Sequence, residues 1–225
     1  GKIPKKDLIV ISVMPCTAKK FESTRPELKS GVDYVLTTRE AAKLIRHFNI
    51  DFVKLPDEDF DPVLGISTGA GAIFGATGGV MEAALRTAYE TATGKQLTKI
   101  EFDQLRGMDG IKHGTIIING KEIRFAAANS HANARKLLAE RKDYDFIEIM
   151  ACPGGCIGGG GQPIPSTKEI LQKRIQAIYQ EDAKLPYRKS HENPIVQKIY
   201  KEFLDKPLSK KAHKLLHTKY RKRGL

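Results

Sequence analysis

The feature that most constrains this chain is a pair of cysteines, separated by three residues, in a glycine-rich run. Cys152 and Cys156 follow directly on the apolar segment 146–151, which predicts a buried strand, and six glycines lie between Gly154 and Gly161. Glycine costs backbone entropy, so such a cluster indicates backbone that must pass close to a bulky group. Two thiols on a loop of this kind are typical of a site that seats a soft metal centre.

The third and last cysteine of the chain has the same setting. Cys16 follows an apolar segment, Leu8 to Met14, which predicts a second buried strand. Three cysteines leave one thiol over in any disulfide scheme, and zinc is disfavoured because no histidine lies at finger-like spacing. Buried structural cysteine stays open as the ordinary alternative. An iron–sulfur cluster is the favoured interpretation, and the chain offers three of the usual four thiolate ligands.

Charge and hydropathy narrow the class of protein further. The formal net charge is +12, and the segment from Lys206 to Leu225 carries eight Lys or Arg and no acid. A basic tail can bind nucleic acid, but no aromatic platform or helix-turn-helix pattern accompanies it, so we predict a solvated or partner-bound helix. No apolar run is long enough to cross a bilayer and no signal peptide opens the sequence. Metal thiolates suit a reducing compartment, which predicts a cytoplasmic location.

Local patterns predict an α/β fold: a mixed or parallel sheet covered by helices, with a helical C-terminal extension. The predicted strands are 7–14, a hairpin over 115–128 with a tight turn at Asn119 and Gly120, and 144–150. The predicted helices are 40–48 behind a capping box, 80–93, 131–142, and one capped at 166–169 that runs to about 181, with 69–79 as a glycine-rich loop. We assign 1–183 to one lobe and 184–225 to a basic helical extension, broken at Pro186, Pro194 and Pro207. Cysteine loops at the carboxyl ends of two strands are where α/β folds place ligands.

Four segments together resemble the iron–iron (FeFe) hydrogenases. Residues 14–22 look like the second signature of the hydrogenase catalytic domain, and residues 148–163 look like its third. The segment 69–83 is similar to the stretch beside the family's active site, and 188–194 resembles the start of its C-terminal tail. The family's first signature, Thr-Ser-Cys-Cys-Pro, has no counterpart here. The resemblance therefore implies the C-terminal half of a two-lobed catalytic domain.

The resemblance also implies a cofactor and its ligands. The cofactor is a four-iron four-sulfur (4Fe-4S) cluster joined to a two-iron unit that carries carbon monoxide, cyanide and a dithiolate amine bridge. Cys16, Cys152 and Cys156 match its metal ligands, with Cys156 as the bridge to the two-iron unit. Lys19 matches the family lysine that contacts a cyanide ligand, so Lys19 and Cys156 are the candidate catalytic residues. The other residues expected to contact the cofactor are Met14, Pro15, Phe74, Gly75, Met150 and Gly155.

The implied function is that of an oxidoreductase, a hydrogenase that interconverts dihydrogen with protons and electrons, and that is incomplete as this chain alone. Its expected partners are an N-terminal half, carrying the fourth cysteine ligand and a proton-transfer cysteine, and a ferredoxin-like electron carrier or relay clusters. Two alternatives stay open: a cytosolic iron–sulfur assembly homologue without hydrogenase activity, and a sensory hydrogenase. Phe74 in its glycine context and the sequence Gly161-Gln162-Pro163 favour the enzyme.

Overall fold

The structure, a computed structural model, describes residues 3–28, 31–61 and 64–220. The chain divides into two compact units. Unit 1 takes in residues 1–58, 160–164 and 198–225, and unit 2 takes in residues 59–159 and 165–197. Each unit holds one small sheet together with helices, so the predicted α/β class is confirmed. The described strands form two separate sheets, of two and three strands, where the sequence predicted a single one.

The strands are β1 (Ile11–Met14), β2 (Tyr34–Thr37), β3 (Ile111–Ile118), β4 (Lys121–Asn129) and β5 (Phe146–Met150). The α-helices are α1 (Ala18–Glu22), α2 (Thr38–His47), α3 (Gly69–Ala72), α4 (Gly79–Thr93), α5 (His131–Ala139), α6 (Lys168–Lys184), α7 (Pro194–Ile199) and α8 (Lys210–Leu216). Within the described ranges, no helix has the length and apolar character needed to cross a membrane.

Unit 1 is built on a short parallel strand pair. β1 and β2 align Ile11 with Tyr34 and Met14 with Thr37. The predicted capping box is confirmed at the start of α2, where Thr37 Oγ1 accepts from Glu40 N at 3.2 Å and Thr37 N donates to Glu40 at 2.8 Å. The prediction of a buried strand over 7–14 is wrong. The chain forms a 3-10 turn at Lys5–Asp7, the strand begins only at Ile11, and its apolar side chains are largely exposed because no layer of the described chain covers them.

Unit 2 contains a three-stranded mixed sheet. β3 pairs antiparallel with β4, and β4 pairs parallel with β5. Asn119 and Gly120 both have positive φ, 50° and 79°, which confirms the predicted tight hairpin turn. α5 begins at His131 as predicted, but it ends at Ala139 because the following residues form a separate 3-10 turn. β5 is shorter than predicted and only partly buried.

The glycine-rich segment before α4 is more ordered than the sequence suggested. We predicted a loop over 69–79, but Thr68 accepts a hydrogen bond from Gly71 N at 3.1 Å and caps the short helix α3. A 3-10 turn, Ile73–Gly75, follows, and α4 begins at Gly79. The cap stabilises helical turns that glycine alone disfavours. α4 ends where predicted, at Gly94, whose φ of 65° suits glycine.

Buried charges join α4 to α6 in unit 2. Arg86 is fully buried and donates to both carboxylate oxygens of Asp182, at 2.8 and 2.9 Å, and to Glu82 at 2.6 Å. Glu82 and Asp182 are fully buried as well. Buried charges persist where they are paired and hydrogen-bonded, so this triad fixes the helix that follows the glycine segment.

A second ion cluster ties the segment after α6 to α4. Lys189 lies 2.8 Å from Glu90 and 3.0 Å from Glu192, and His191 Nε2 lies 2.9 Å from Glu90. Burial opposes ionisation of Glu90, but its hydrogen bonds from Lys189, Leu97 N and His191 prevail and lower its pKa to about 2. Lys189 pairs with both carboxylates and His191 with one of them, so these contacts hold the segment after α6 against α4. The helical extension is interrupted before Pro194, as predicted, and proline itself occupies the first turn of α7, where its missing N–H costs nothing.

Candidate metal centre

The Cys152–Cys156 loop leaves the carboxyl end of β5 and is shaped by its own backbone. Gly155 N donates to Cys152 O at 3.0 Å, and the 3-10 turn Cys156–Gly158 follows, with Gly159 N donating to Cys156 O at 2.9 Å. Cys152 is half-buried and Cys156 is exposed, and neither is in a disulfide. Both thiols thus sit at fixed points of an ordered loop and remain accessible to a metal centre.

Glycine is required in this loop by contact with the segment before α4. Gly155 has φ 100°, and a Cβ atom there would lie 2.7 Å from Thr77 N and 2.8 Å from Gly75 O. Thr77 N donates to Gly154 O at 3.0 Å across the same contact. The close neighbour of Gly155 is therefore protein backbone, a constraint that the sequence alone did not reveal. Gly75 itself has ordinary van der Waals space, with Ile178 and Ile157 as its nearest neighbours.

The Cys16 loop, in unit 1, follows β1 and is packed by the second half of the glycine run. Gly161 N donates to Pro15 O at 2.9 Å, and a Cβ atom at Gly161 would lie 3.0 Å from Cys16 N. Arg39 fixes the same segment by donating to Gln162 O at 2.7 Å. The predicted close approach of the glycines to a bulky group thus has a protein partner here as well. Cys16 is half-buried and outside any disulfide.

Lys19 lies in the short helix α1, three residues after Cys16. Its Nζ is 2.6 Å from Glu22 Oε1, and the side chain is 38% exposed. The neighbouring Lys20 instead donates to Val35 O at 2.8 Å and pairs with Glu40. Lys19 therefore has an acidic partner, Glu22, near the surface of unit 1.

The remaining predicted contact residues are divided between the two units. Met14 and Pro15 end β1 and begin the Cys16 loop in unit 1. In unit 2, Met150 ends β5, and Phe74 lies in the 3-10 turn before α4 with 45% of its surface exposed. Each of these side chains is apolar and at least partly exposed, which suits a cofactor-facing role.

Two buried charged residues close to the cysteine loop of unit 2 were missed from the sequence. Lys112, on β3, donates to Thr77 O, and Glu148, on β5, accepts from Gly78 N and Met81 N. Burial lowers the pKa of Lys112 to about 8, against the attraction of Glu148 and Asp109. Burial also raises the pKa of Glu148, against its two backbone hydrogen bonds. No local sequence signal distinguishes this lysine from the exposed ones, because only the packing of three strands buries it.

The donor set fits the cofactor that the resemblance implied. Thiolates are the ligands that iron–sulfur clusters use, and each of the three cysteines is at least partly accessible on an ordered loop at the end of a strand. An α/β chain with cysteine loops at the carboxyl ends of strands defines a candidate iron–sulfur protein.

Comparison with known proteins identifies the family. The model of the iron only hydrogenase large subunit, C-terminal domain, matches residues 1–160, and that of the iron hydrogenase small subunit matches residues 168–223. The chain therefore belongs to the iron-only hydrogenase family.

Individual relatives agree with this assignment. The chain is 55% identical to the NADP-reducing hydrogenase subunit HndD of Solidesulfovibrio fructosivorans, over 98% of this chain and 39% of the relative. It is 46% identical to iron hydrogenase 1 of Clostridium pasteurianum, over 96% of this chain and 40% of the relative. A more distant relative, protein NAR1 of Arabidopsis thaliana, is 34% identical over 93% of this chain and 49% of the relative. The chain thus spans about two fifths of the length of the two hydrogenases.

A solved structure supports the fold. The [FeFe]-hydrogenase HydA1 from Chlamydomonas reinhardtii, in a variant form, matches with a TM-score of 0.78 and 40% sequence identity. The match covers 97% of this chain and 64% of that chain. The structure described here therefore corresponds to part of an FeFe hydrogenase domain.

Proposed function

We propose that this chain supplies Cys16, Cys152 and Cys156 as thiolate ligands to the iron cluster of an FeFe hydrogenase. The observation that carries the proposal is the Cys152–Cys156 loop, whose two accessible thiols are held in place by backbone hydrogen bonds and by glycine contacts with Thr77. Membership of the hydrogenase family supports the same role. When bound, the cluster would supply reversible conversion of dihydrogen to protons and electrons, a chemistry that belongs to the metal centre rather than to side chains.

The protein's own contribution is to bind, orient and shield that cluster. Cys16, Cys152 and Cys156 would hold the 4Fe-4S part, and Cys156 would also bridge to the two-iron unit. Met14, Pro15, Phe74 and Met150 are apolar or soft side chains suited to excluding water around carbon monoxide and cyanide ligands. Gly75 and Gly155 would keep the backbone beside the cluster free of side chains.

Lys19 would offer an ammonium group to an anionic cyanide ligand. In the structure its charge is paired with Glu22 near the surface. Contact with the cluster would require Lys19 to exchange Glu22 for the new anion, so Glu22 is a competitor for that charge. A desolvated ammonium interacts more strongly with an anion than an exposed one does, which favours the exchange once the site is closed from water.

The partners in this proposal follow from the ligand count. A 4Fe-4S cluster needs four thiolate ligands, and this sequence contains three cysteines. An N-terminal half of the catalytic domain would bring the fourth ligand and the proton-transfer cysteine, and a ferredoxin-like carrier or relay clusters would exchange electrons. We propose that this assembly is a cytoplasmic hetero-complex. Residues 1–183 would form one lobe of the catalytic domain, and residues 184–225 would form its basic helical extension.

The runner-up is a non-catalytic iron–sulfur assembly role. Protein NAR1 is at 34% identity, well below the 55% and 46% of the two hydrogenases, which favours the enzyme. A sensory hydrogenase remains the third candidate, and no described feature favours it over the enzyme.

The experiment is to produce the 225 residues alone and together with a segment carrying Thr-Ser-Cys-Cys-Pro, both with the maturation machinery present. We expect the chain alone to bind iron poorly and to evolve no hydrogen, and the pair to evolve hydrogen. Hydrogen evolution by the chain alone, after exclusion of host hydrogenase, would contradict the ligand count. Iron binding by the pair without hydrogen turnover would favour the assembly role.

A further inference from the structure

Two charged side chains of the unit 2 sheet lie in one row across its three strands. Lys112 on β3 pairs in register with Ala127 on β4, and Ala127 pairs with Glu148 on β5. Lys112 and Glu148 are 4% and 8% exposed, and Ala127 is fully buried. Residues in register point to the same face of a sheet, so the small alanine leaves room for the two long side chains to converge above it.

The two side chains hold opposite ends of one peptide group. Lys112 Nζ donates to Thr77 O at 2.7 Å, and Gly78 N donates to Glu148 Oε1 at 2.6 Å. The Thr77 carbonyl and the Gly78 amide belong to the same peptide bond, so its positive and negative ends each face an opposite charge. Hydrogen bonds to charged groups are shorter and stronger than neutral ones, and here they fix the orientation of a peptide that precedes a residue at φ 91°.

Each charged group has a second backbone partner. Lys112 also donates to Leu105 O at 2.9 Å, and the other Glu148 oxygen accepts from Met81 N at 2.7 Å. These contacts join the peptide between Thr77 and Gly78 to the first turn of α4 and to the segment before β3. The peptide therefore cannot rotate without breaking two charge-assisted hydrogen bonds, from Lys112 and to Glu148.

Thr77 connects this fixed peptide to the Cys152–Cys156 loop. Its N–H donates to Gly154 O at 3.0 Å, and Gly155 packs so closely that a Cβ atom would lie 2.7 Å from Thr77 N. Gly154 and Gly155 are two of the three residues between Cys152 and Cys156. The position of Thr77 therefore sets the position of the loop between the two thiols.

We propose that Lys112 and Glu148 are positioning residues that fix the Cys152–Cys156 loop through the peptide between Thr77 and Gly78. The effect of this positioning on a metal centre rests on the proposed function, whereas its effect on the conformation of the loop does not. Burial disfavours both charges, as their pKa shifts indicate, so their retention in the core has to be stabilised by the backbone groups they hold.

The first test measures amide hydrogen exchange in the whole protein, prepared without iron. Lys112→Met and Glu148→Gln keep side-chain length and remove charge, and the exposed Lys121→Met on the same hairpin is the matched control. We expect exchange in the Cys152–Gly159 loop to become about tenfold faster in both variants, because each loses one charge-assisted hydrogen bond. Exchange in the control should stay unchanged. Unchanged loop exchange in folded variants would overturn the proposal, as would an equal increase throughout unit 2.

The second test uses the iron-loaded pair, this chain together with the segment carrying Thr-Ser-Cys-Cys-Pro, and a readout that general destabilisation would not move. Both variants should shift the reduction potential and the paramagnetic resonance spectrum of the cluster, and Gly155→Ala, which displaces the loop from Thr77 directly, should shift them in the same way. An unshifted spectrum in Lys112→Met and Glu148→Gln beside a shifted one in Gly155→Ala would contradict the role of the pair. Faster loop exchange in the variants, together with failure of the unsubstituted chain to bind iron even when it is paired with the segment carrying Thr-Ser-Cys-Cys-Pro, would support the positioning role and refute the proposed function.

If both variants fail to fold, hydrogen exchange in the unsubstituted protein tests the proposal instead. The amides of Thr77 and Gly78 should then exchange as slowly as those of the buried end of β4. Exchange as fast as at the exposed Asn119–Gly120 turn would show that the peptide is not held, and the proposal would fail.

Discussion

The two cysteine-bearing regions are supported very differently. In unit 2 the Cys152–Cys156 loop extends from a sheet whose central strand has five consecutive buried residues, 125–129, and the described buried hydrophobic clusters all lie in this unit. In unit 1 the Cys16 loop follows a four-residue strand, with Ile11 and Val13 56% and 57% exposed. Parallel strand pairs are normally covered on both faces. Unit 2 therefore fixes its thiols with its own core, whereas unit 1 needs additional protein to cover β1.

The greater length of the relatives offers a reason for the difference in burial between the two cysteine regions. The chain spans 39% of the length of HndD and 40% of iron hydrogenase 1, so most of each relative lies outside the matched region. We infer that part of this additional sequence covers β1 in a complete hydrogenase.

The largest expected effect is at Cys156. In the pair with the segment carrying Thr-Ser-Cys-Cys-Pro, Cys156→Ser should abolish hydrogen turnover, because the proposed bridge to the two-iron unit is removed, and Cys16→Ser should damage the 4Fe-4S cluster itself. Gas chromatography of evolved hydrogen and iron analysis measure the two effects. Met108→Leu, a volume-conserving change at a residue packed near Gly154, is the control and should stay active. Full turnover by the Cys156 variant would show that the metal assignment is wrong.

The next effect tests whether unit 2 depends on its own buried charges. Arg86→Met leaves Glu82 with Arg106 and Asp182 with Arg188 as partners, so it should lower the free energy of unfolding of unit 2 by about 3 kcal/mol, the low end of the cost of breaking a buried ion pair. Denaturant-dependent hydrogen exchange of β4 measures it. Lys99→Met removes an exposed pair with Asp103 and should change stability by less than about 1 kcal/mol. An Arg86 variant as stable as the Lys99 variant would contradict the account of the unit 2 core.

The next prediction concerns Lys19, which lies close to Cys16 in unit 1. Lys19→Ala should weaken retention of the two-iron unit by about 2–3 kcal/mol while leaving the absorption of the 4Fe-4S cluster largely intact, because an anionic ligand loses its cation. Lys20→Ala is the neighbouring control, since Lys20 contacts Val35 and Glu40. The measurement is the infrared carbonyl intensity per cluster. Equal retention in both variants would return Lys19 to the role of a surface lysine paired with Glu22.

The smallest effect concerns pH and the cluster around Glu90. The pKa of Glu90 is lowered to about 2 in the folded state, so its contribution to stability is present above its usual value of 4.5 and is lost as pH falls towards 2. Glu90→Gln should therefore lower stability at pH 7 by about 1–2 kcal/mol and by much less at pH 2. Thermal unfolding at both pH values measures the difference, and the exposed Glu122→Gln is the control. A Glu90 variant with the same stability deficit at both pH values would refute this assignment.

Local chemistry was predictable from the sequence. The capping box of Thr37 and Glu40, the turn at Asn119 and Gly120, and the end of α4 at Gly94 each depend on residues adjacent in the chain, and each is confirmed. The cysteine motifs also identified the family, which the comparisons bear out. The helix α3 was missed because its cap, Thr68, offsets the low helix propensity of the glycines behind it.

Long-range contacts were not predictable. Glu82 and Arg86 have the spacing of an ordinary exposed helix pair, and only Asp182, almost a hundred residues later, makes them part of a core. Lys112 and Glu148 come together only when three strands align in register. The exposure of β1 was missed because an apolar strand predicts burial without saying which part of the protein covers it.

Infrared spectroscopy of the matured pair, this chain together with a segment carrying Thr-Ser-Cys-Cys-Pro, tests the central claim most directly, because iron-bound carbon monoxide and cyanide have stretching bands with no counterpart in protein. The account predicts these bands in the unsubstituted pair and their loss when the chain carries Cys156→Ser. Absence of the bands from the matured, unsubstituted pair would contradict the hydrogenase assignment and leave the iron–sulfur assembly role.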